Sequence, residues 1–277
     1  VEAALAAPFS QQGLRVEYTT YALRGTTGDA QRVMLSLAAV LPVGDVERAT
    51  ADVVFAVRSV QTGRLAESGS GTMELPAEPS PGSTTGTGYY RAQMQLPPGI
   101  YMMRVVVREP GGLLGSADRR FQVRSLGGPG VQVGDLILGS SEVQGLPVRA
   151  AVYSTEVISG VFEAYARSAA QLEGLRVLVE LLPFGATTAV TSGSADLDPV
   201  KSGAAGASRG ARVAIPVQGI PEGEYVVRAT VRTGSETVAE LVRRSTRAAA
   251  GPGRGGTDAA QLRPVGGARR GRGQSVR

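Results

Sequence analysis

Cysteine and histidine are both absent from the 277-residue chain. Without cysteine the chain can form no disulfide, no thiolate nucleophile and no Cys-ligated zinc site. Without histidine it lacks the imidazole of Ser-His and Cys-His catalysis and a common metal ligand. These two absences remove most enzymatic mechanisms, so we expect that the protein is not an enzyme and that it uses no cofactor or metal.

Tryptophan is also absent, and aromatic residues make up only 5% of the sequence. Apolar residues still reach 42%, so any core must be built mainly from Val, Leu, Ala and Ile. The 38 glycines and 16 prolines recur between short apolar runs. This distribution is typical of a turn-rich β protein, and the length suits one large domain or two ordinary ones.

Long apolar runs are missing too. No stretch of about 18 apolar residues occurs, so no membrane span is expected. Residues 1–8 include small residues like those at a signal-cleavage site, but no basic segment and no long apolar segment. We therefore expect a piece of a longer protein, or a processed form, rather than a signal peptide at this end.

Positive charge is concentrated in residues 249–277. This segment has six Arg and one Asp, a net charge of +5 that equals the net charge of the whole chain. Its Gly, Arg and small residues show no apolar period, which predicts a disordered tail. Arg269, Arg270 and Arg272 are predicted to contact anionic polymers or surfaces weakly. The tail has no aromatic residue to stack on bases, so specific nucleic-acid binding is not expected.

An internal repeat organises the first 248 residues. Residues 97–108 align with residues 221–232, an offset of 124 in which Pro, Gly, Tyr, two Arg and the last Val match. The same offset, without gaps, aligns residues 51–57 with residues 175–181. A constant offset over such a distance indicates two units of one design.

Each unit consists of short, Val-rich runs bounded by Gly, Pro or Asp, which predict β-strands. The expected strands are residues 32–41, 51–60, 89–96, 100–108 and 118–123, then 160–167, 175–182, 211–217, 224–232 and 237–244. A helix over residues 161–172 is a minority alternative, because apolar side chains recur there at spacings of three and four. The predicted fold is all-β, with two tandem immunoglobulin-like β-sandwich modules followed by the disordered tail.

The predicted boundaries follow from the repeat and from the Gly/Pro-rich stretches. They are a linker from an upstream domain (1–15), module 1 (16–125), an interdomain linker (126–147), module 2 (148–248) and the tail (249–277). The apolar run at residues 135–139 is a candidate additional strand of the second module. Two polar stretches at residues 76–88 and 192–210 are expected to be long, mobile loops.

We interpret the repeated Pro-x-Gly-x-Tyr motif as structural. Pro and Gly form a tight turn, at Gly99 in the first unit and Gly223 in the second. Tyr101 and Tyr225 then begin a strand, and each is expected to pack across the core while its hydroxyl meets a backbone group. This arrangement resembles the tyrosine corner of immunoglobulin-like folds.

Three patterns suggest chemistry, and each has a simpler structural explanation. Residues 206–210, Gly-Ala-Ser-Arg-Gly, match a nucleophile elbow, but that motif needs a strand, a helix and a His partner. Asp196 and Asp198 form a carboxylate pair without the further oxygen ligands that calcium requires, which favours a solvated loop. Alternating arginines should share one strand face and pair with carboxylates on neighbouring strands. These arginines are Arg104, Arg108, Arg228 and Arg232.

Several segments resemble the region that follows the A-type domain in von Willebrand factor A (VWFA)-related proteins, a bacterial class first catalogued in acidobacteria. The segments that carry the resemblance are residues 14–18, 21–25, 96–101, 115–117, 135–139 and 172–177, within residues 1–245. The adhesion-site pattern Asp-x-Ser-x-Ser of the A-type domain does not occur here. The resemblance therefore implies no metal site in this chain.

The resemblance implies a secreted or cell-envelope location and a non-catalytic structural or protein-interaction role beside an A-type domain. Its expected partner is a protein. The alternative is a β-sandwich module that binds carbohydrate or another envelope polymer. That alternative is weakened by the absence of Trp, because such sites usually present aromatic platforms.

Overall fold

The computed structural model describes Leu5 and residues 12–25, 29–42, 50–74, 85–140, 150–153 and 157–248. Within these residues the chain is all-β and forms two sheets, which we call the N-terminal and the C-terminal sheet. The predicted all-β class is confirmed. The predicted tail, with Arg269, Arg270 and Arg272, lies outside the described residues.

The N-terminal sheet has seven strands in the order β1-β2-β5-β4-β3-β6-β7, and every pairing is antiparallel. Its strands are β1 (Arg15–Leu23), β2 (Gln31–Pro42), β3 (Thr50–Ser59), β4 (Leu65–Glu74), β5 (Thr85–Leu96), β6 (Gly99–Arg108) and β7 (Leu114–Val123). Within the described residues β4 and β5 pair at one position, Glu74 with Tyr89. This pairing is a narrow seam between two groups of strands, β1-β2-β5 and β4-β3-β6-β7.

The C-terminal sheet has ten strands, with the main order β10-β17-β16-β12-β13-β15-β11-β8; β14 pairs with β15, and β9 with β11. The first five strands are β8 (Gln132–Val133), β9 (Ile137–Ser140), β10 (Ala150–Tyr153), β11 (Val157–Ala166) and β12 (Leu175–Pro183). The remaining strands are β13 (Thr191–Leu197), β14 (Lys201–Gly203), β15 (Gly206–Pro216), β16 (Gly223–Thr233) and β17 (Glu236–Ala248). One short helix, α1 (Ala170–Glu173), connects β11 to β12.

The two sheets share one strand order. The run β2-β5-β4-β3-β6-β7 has its counterpart in β11-β15-β13-β12-β16-β17. The offset seen in the sequence is kept in space, since β6 begins at Gly99 and β16 begins at Gly223, 124 residues later. The repeat therefore corresponds to two copies of one strand arrangement.

The ends of the N-terminal sheet approach each other, so that this sheet nearly closes on itself. Gln12 forms a β-bridge with Gly115, and the Leu14 N–H donates to the Leu114 carbonyl at 3.1 Å. A Cβ added to Gly115 would collide with the carbonyl oxygen of Leu14. A glycine at this position therefore allows the two ends to meet.

Each sheet encloses its own apolar core, built mainly from aliphatic side chains as the composition predicts. The alternation of a strand places every second residue inward. In β6 the inward residues are Tyr101, Met103, Val105 and Val107, and in β16 they are Tyr225, Val227, Ala229 and Val231. Burial of these aliphatic side chains is the main stabilising contribution in a chain without disulfides.

The strand β4 was not among the predicted strands, because its sequence is small and polar. A Cβ on Gly69 would lie 2.5 Å from Cζ of Phe55, and one on Gly71 would lie 2.5 Å from Cε2 of Tyr90. The aromatic rings of β3 and β5 thus cover the two glycines. Met73 contributes one buried apolar side chain from β4 itself. The remaining apolar burial over this strand comes from its neighbours, so its sequence shows no alternating apolar pattern.

The prediction of a mobile loop at residues 192–210 is wrong. These residues form most of β13, all of β14 and the first part of β15. Alternating half-buried and exposed positions in β13 show a strand that buries small side chains, and Gly206, with φ of 101°, makes the turn from β14 to β15. Of the other expected loop, residues 85–88 belong to β5, and the remainder, residues 76–84, lies outside the described residues.

The bounds of the strands and of α1 test two further predictions. The helix alternative at residues 161–172 is wrong over its first half, because β11 extends to Ala166 and α1 begins at Ala170. The apolar run at residues 135–139 contributes to β9, which pairs with β11. No helix in the described part of the chain is long and apolar enough to cross a membrane.

We predict that Gly69→Val destabilises the protein by about 1–3 kcal/mol, because the new side chain must displace the Phe55 ring from the core. Urea unfolding measures the change. Ser68→Val is the matched control, since Ser68 is exposed on the same strand, and it should leave stability nearly unchanged. If Gly69→Val and Ser68→Val lose equal stability, the packing of the Phe55 ring does not require a glycine at position 69.

Candidate functional site

The two repeated tyrosines close the turns that precede β6 and β16. The Tyr101 hydroxyl donates to the Pro97 carbonyl at 2.9 Å. The Tyr225 hydroxyl donates to the Pro221 carbonyl at 2.8 Å. Both side chains are buried, so each ring lies in a core while its one polar atom binds the backbone four residues earlier.

The glycine of each step is favoured for a different reason, close approach of the ring at Gly99 and backbone conformation at Gly223. A Cβ on Gly99 would lie 3.3 Å from Cε2 of Tyr101, which is closer than side chains normally approach. Gly223 has φ of 154°, a conformation that residues with a side chain rarely adopt, and a Cβ there would lie 3.6 Å from the Tyr225 ring. Gly99 and Gly223 therefore belong to the same structural device as the two tyrosines.

The elbow-like segment at residues 206–210 lies within β15 rather than at a strand-to-helix turn. Ser208 is paired with Lys201 of β14. The Arg209 guanidinium donates to the carbonyls of Asp198 and Leu172, both at 2.8 Å. The segment thus lacks the geometry of a nucleophile elbow.

The two aspartates of the carboxylate pair are used within the C-terminal sheet. Asp196 lies opposite Arg212 in the pairing of β13 with β15. The Asp198 carboxylate forms an ion pair with Arg212 at 2.8 Å. Among the described residues no group of three or more acidic, His or Cys side chains could hold a metal ion.

Two of the four alternating arginines pair with carboxylates on neighbouring strands. The Arg104 guanidinium donates to Asp118 at 2.6 and 2.8 Å, and this hydrogen bond raises the pKa of Arg104 further. Arg228 forms an ion pair with Glu180 at 3.0 Å. The other two arginines of the pattern are exposed: Arg108 and Arg232.

The densest polar cluster among the described residues lies between the two sheets, around Asp135. The Ala22 N–H of β1 donates to the Asp135 carboxylate at 2.8 Å, and the Asp135 N–H donates to the Ala22 carbonyl at 3.0 Å. Arg124 and Arg243 approach the same carboxylate at 3.3 and 3.4 Å. Arg243 also donates to the Leu136 carbonyl at 2.9 Å. We call this group (Ala22, Arg124, Asp135 and Arg243) the Asp135 junction.

A second contact beside the junction joins β1 to β11. The Arg24 N–H donates to the Tyr165 hydroxyl at 3.1 Å, and that hydroxyl donates to the Glu163 carboxylate at 2.8 Å. The Arg24 guanidinium lies 4.6 Å from the centre of the Tyr165 ring. In the junction itself, Arg243 lies 5.2 Å from the centre of the Tyr21 ring. Such cation–π contacts add stabilisation where the groups are partly desolvated.

The chemistry of this cluster favours a structural contact between the two sheets over a catalytic site. Its carboxylates and guanidinium groups bind one another and the backbone. Burial raises the pKa of Tyr21 to about 12 and also raises the pKa of Tyr165. Both phenols therefore keep their proton at neutral pH, so neither offers an ionised nucleophile.

Sequence reasoning missed the junction for a clear reason. Asp135 falls in the segment interpreted as a linker, and its partner Ala22 lies 113 residues away. No local pattern joins residues so distant. The available signal was a charged residue between Gly134 and the apolar run of β9, a position where a buried carboxylate needs partners.

Comparison with known proteins identifies no family. No protein-family model matches the chain, and no curated protein matches it. Among solved structures, one similarity is to the structural-genomics target SoR45, with 15% identity and a TM-score of 0.25, over 41% of this chain and 87% of that chain. Dimeric latent PorU from Porphyromonas gingivalis has 15% identity and a TM-score of 0.29, over 84% of this chain but 20% of its own. An adhesin from Mobiluncus mulieris has 9% identity and a TM-score of 0.27, over 84% and 98%.

We predict that Tyr101→Phe and Tyr225→Phe each lower the free energy of unfolding by about 1 kcal/mol, because each removes a hydrogen bond to a partly buried carbonyl and keeps the ring. Urea unfolding measures the loss. Tyr89→Phe is the control, since the Tyr89 side chain is exposed, and its stability should stay at the wild-type value. If both Tyr101→Phe and Tyr225→Phe keep the wild-type free energy of unfolding, the hydrogen bonds of the two hydroxyls do not contribute to stability.

We predict that stability falls as the pH rises from about 10 to about 12. A phenol has an unperturbed pKa near 10 in the unfolded chain, whereas the pKa of Tyr21 in the fold is about 12. The folded state therefore holds the Tyr21 proton more tightly than the unfolded chain does. The resulting stabilisation of the fold is complete below about pH 10 and is lost as the pH rises towards about 12. Urea unfolding across this range should show that the free energy of unfolding falls less steeply with pH in Tyr21→Phe than in the wild type. An equally steep fall in both proteins would contradict a contribution from the Tyr21 proton.

Proposed function

We propose that this chain is a non-catalytic extracytoplasmic region that acts as a structural spacer and protein-interaction platform, accessory to a VWFA-type domain. The observation that carries the proposal is the Asp135 junction. The β1 backbone, Arg124 after β7, Asp135 and Arg243 of β17 meet in this one contact. A contact of this kind would hold two similar units in a fixed orientation. This is the property that a spacer needs.

The finer architecture that we propose is a pair of immunoglobulin-like sandwiches. In the N-terminal sheet the narrow seam between β4 and β5 separates a layer of three strands from a layer of four. In the C-terminal sheet the corresponding pairing, β13 with β15, covers three positions, and we propose the same division there because the strand order matches. The hydrogen bond of Tyr101 or Tyr225 to the backbone four residues upstream is the feature that defines a tyrosine corner in such folds.

A non-catalytic role is supported by what the side chains do. The Asp198 carboxylate and the Arg209 guanidinium, which lie nearest to the elbow-like segment, bind structural partners. The chain has no His and no Cys to supply a catalytic base or thiolate. The structural contacts of Asp198 and Arg209 support a non-catalytic role for this segment.

Binding of carbohydrate has less support. Tyr89 and Phe184 are the exposed aromatic side chains in the described part of the chain. Tyr89 lies on β5 of the N-terminal sheet, whereas Phe184 lies in the turn after β12, where the guanidinium of Arg244 is 4.3 Å from the centre of its ring. They therefore form no shared platform of the kind that stacks on a sugar.

We predict that Asp135→Ala loosens the two units from each other without unfolding either. The substitution leaves Arg124, Arg243 and the Ala22 N–H without their common acceptor, a loss of about 1–3 kcal/mol. Small-angle X-ray scattering should show a wider distribution of dimensions, and calorimetry should show two unfolding transitions further apart than in the wild type.

Asp198→Ala is the matched control for this experiment. Asp198 also forms an ion pair with an arginine and is similarly accessible, at 30% against 25% for Asp135, but its partner lies within the C-terminal sheet. This variant should keep the wild-type scattering profile. A spacer function is contradicted if the Asp135→Ala chain scatters like the wild type, or if the wild type already samples many orientations.

The association with an A-type domain has a separate test. The coding sequence upstream of this chain should encode a signal peptide and an A-type domain with an Asp-x-Ser-x-Ser adhesion site. A cytoplasmic catalytic domain in that position would overturn this part of the proposal and leave the spacer test untouched.

A further inference from the structure

The half-buried arginines of the described residues fall into two groups. Those of the first group donate to carboxylate or carbonyl oxygens, and they are Arg104, Arg209, Arg228 and Arg243. Those of the second group have no such acceptor among the described residues, and they are Arg24, Arg32 and Arg247. A half-buried guanidinium without an acceptor is unfavourable, because the hydrogen bonds to water that it has lost are not replaced.

Two members of the second group lie together at the contact between the sheets. Arg32 of β2 is opposite Leu23 of β1, so these two side chains share one face. This face meets the segment before β9, since a Cβ added to Gly134 would lie 3.2 Å from Cδ2 of Leu23. Arg24 follows Leu23, and its guanidinium lies 4.6 Å from the centre of the Tyr165 ring. We call Arg24 and Arg32 the arginine pair.

Tyr165 of β11 is the side chain that both guanidiniums approach. Burial raises its pKa, and the nearby charge of Arg32 partly opposes this rise. The phenol is therefore uncharged at neutral pH and supplies no counterion. Because Arg24 lies over the face of the ring, this contact holds the guanidinium while its N–H groups stay available to an acceptor.

The two carboxylates at this contact are already used by other groups. The Asp135 carboxylate is shared by Arg124 and Arg243. The Glu163 carboxylate accepts a hydrogen bond from the Tyr165 hydroxyl at 2.8 Å. With four arginines and two acids, the side chains named here carry a net charge of about +2 at neutral pH. The arginine pair thus has no counterion of its own among the described residues.

We propose that the arginine pair binds a doubly charged oxyanion, the phosphate or sulfate group of a small ion or of a polymer. The proposal concerns a binding site that the spacer role does not require. It is therefore tested separately from that role.

The donors of the pair suit such an anion. A guanidinium presents N–H groups in a planar fork, and the several oxygens of a tetrahedral anion can accept from two guanidiniums at once. Nε of Arg32 is buried without a partner, so this side chain would bind through its terminal Nη groups. A doubly charged anion neutralises both guanidiniums, whereas a single carboxylate leaves one of the two charges uncompensated.

The experiment is isothermal titration calorimetry of the full chain with sodium sulfate, at an ionic strength held constant with sodium chloride. The wild type should bind one sulfate with a Kd of about 1 mM or below, and Arg24→Gln or Arg32→Gln should weaken binding at least about tenfold. Arg32→Lys, which keeps the charge but not the fork, should lose less. Sulfate should also raise the thermal unfolding midpoint of the wild type more than that of Arg24→Gln.

Arg247→Gln is the matched control, because Arg247 is also half-buried without an acceptor but lies apart from the pair, opposite Gly223. It should bind sulfate like the wild type, and urea unfolding should show that every variant is folded. Any binding of sulfate by the basic residues 249–277 is common to all these proteins. The difference between variants therefore measures the arginine pair.

A short polyphosphate distinguishes a polymer from a free ion as the source of the anion. If it binds the wild type more tightly than sulfate does, and Arg24→Gln removes this gain, the site takes an anionic group of a polymer. If the gain persists in Arg24→Gln, it comes from elsewhere in the chain, and the site takes the free ion.

Three outcomes would overturn the proposal. The first is sulfate binding that is as tight in Arg24→Gln and Arg32→Gln as in the wild type, including no binding by any of them up to about 50 mM. The second is an equal loss in Arg247→Gln. The third is acetate binding as tight as sulfate binding, which would assign the pair to a carboxylate of a partner protein instead. None of these outcomes bears on the Asp135→Ala test of the spacer.

Discussion

The Asp135 carboxylate lies where the two sheets meet. It accepts hydrogen bonds from the Ala22 N–H of β1 and from Arg124, which follows β7, and it forms an ion pair with Arg243 of β17. A charge in such a position is stable only because several donors replace the water that it loses. The proposed spacer role rests on this compensation. Arg243 contributes twice, since it also binds the Leu136 carbonyl and lies over the Tyr21 ring.

The repeat explains the similarity of the sheets and also makes their differences informative. Arg104 and Arg228 occupy one position in the common design, but their carboxylate partners come from different strands. That exchange leaves Val242 in the place of an acid. Changes at two positions, from Ala56 to Glu180 and from Asp118 to Val242, thus alter the exposed surface of the second unit while the strand order stays the same.

Prediction from the sequence succeeded where local pattern and burial coincide. The strands β6 and β16 were predictable, because in both an alternating, Val-rich run follows the Pro-x-Gly turn. The strands β4 and β13 were not, because small residues occupy much of their inward faces. These residues are Gly69 and Gly71 in β4, where the rings of neighbouring strands cover the backbone, and Gly193 and Ala195 in β13. The candidate sites divide in the same way: the tyrosines lie in a local motif, whereas the Asp135 junction joins residues more than a hundred positions apart.

The pairing of β10 with β17 has a mechanical consequence. These two strands run parallel, with Ala150 opposite Ser245. A pulling force that enters before β10 and leaves after β17 acts along both strands in opposite directions. It therefore loads their hydrogen bonds together, in shear, instead of opening them one after another. If the chain carries tension between an anchored domain and its partner, this pairing is the part of the second unit that resists extension.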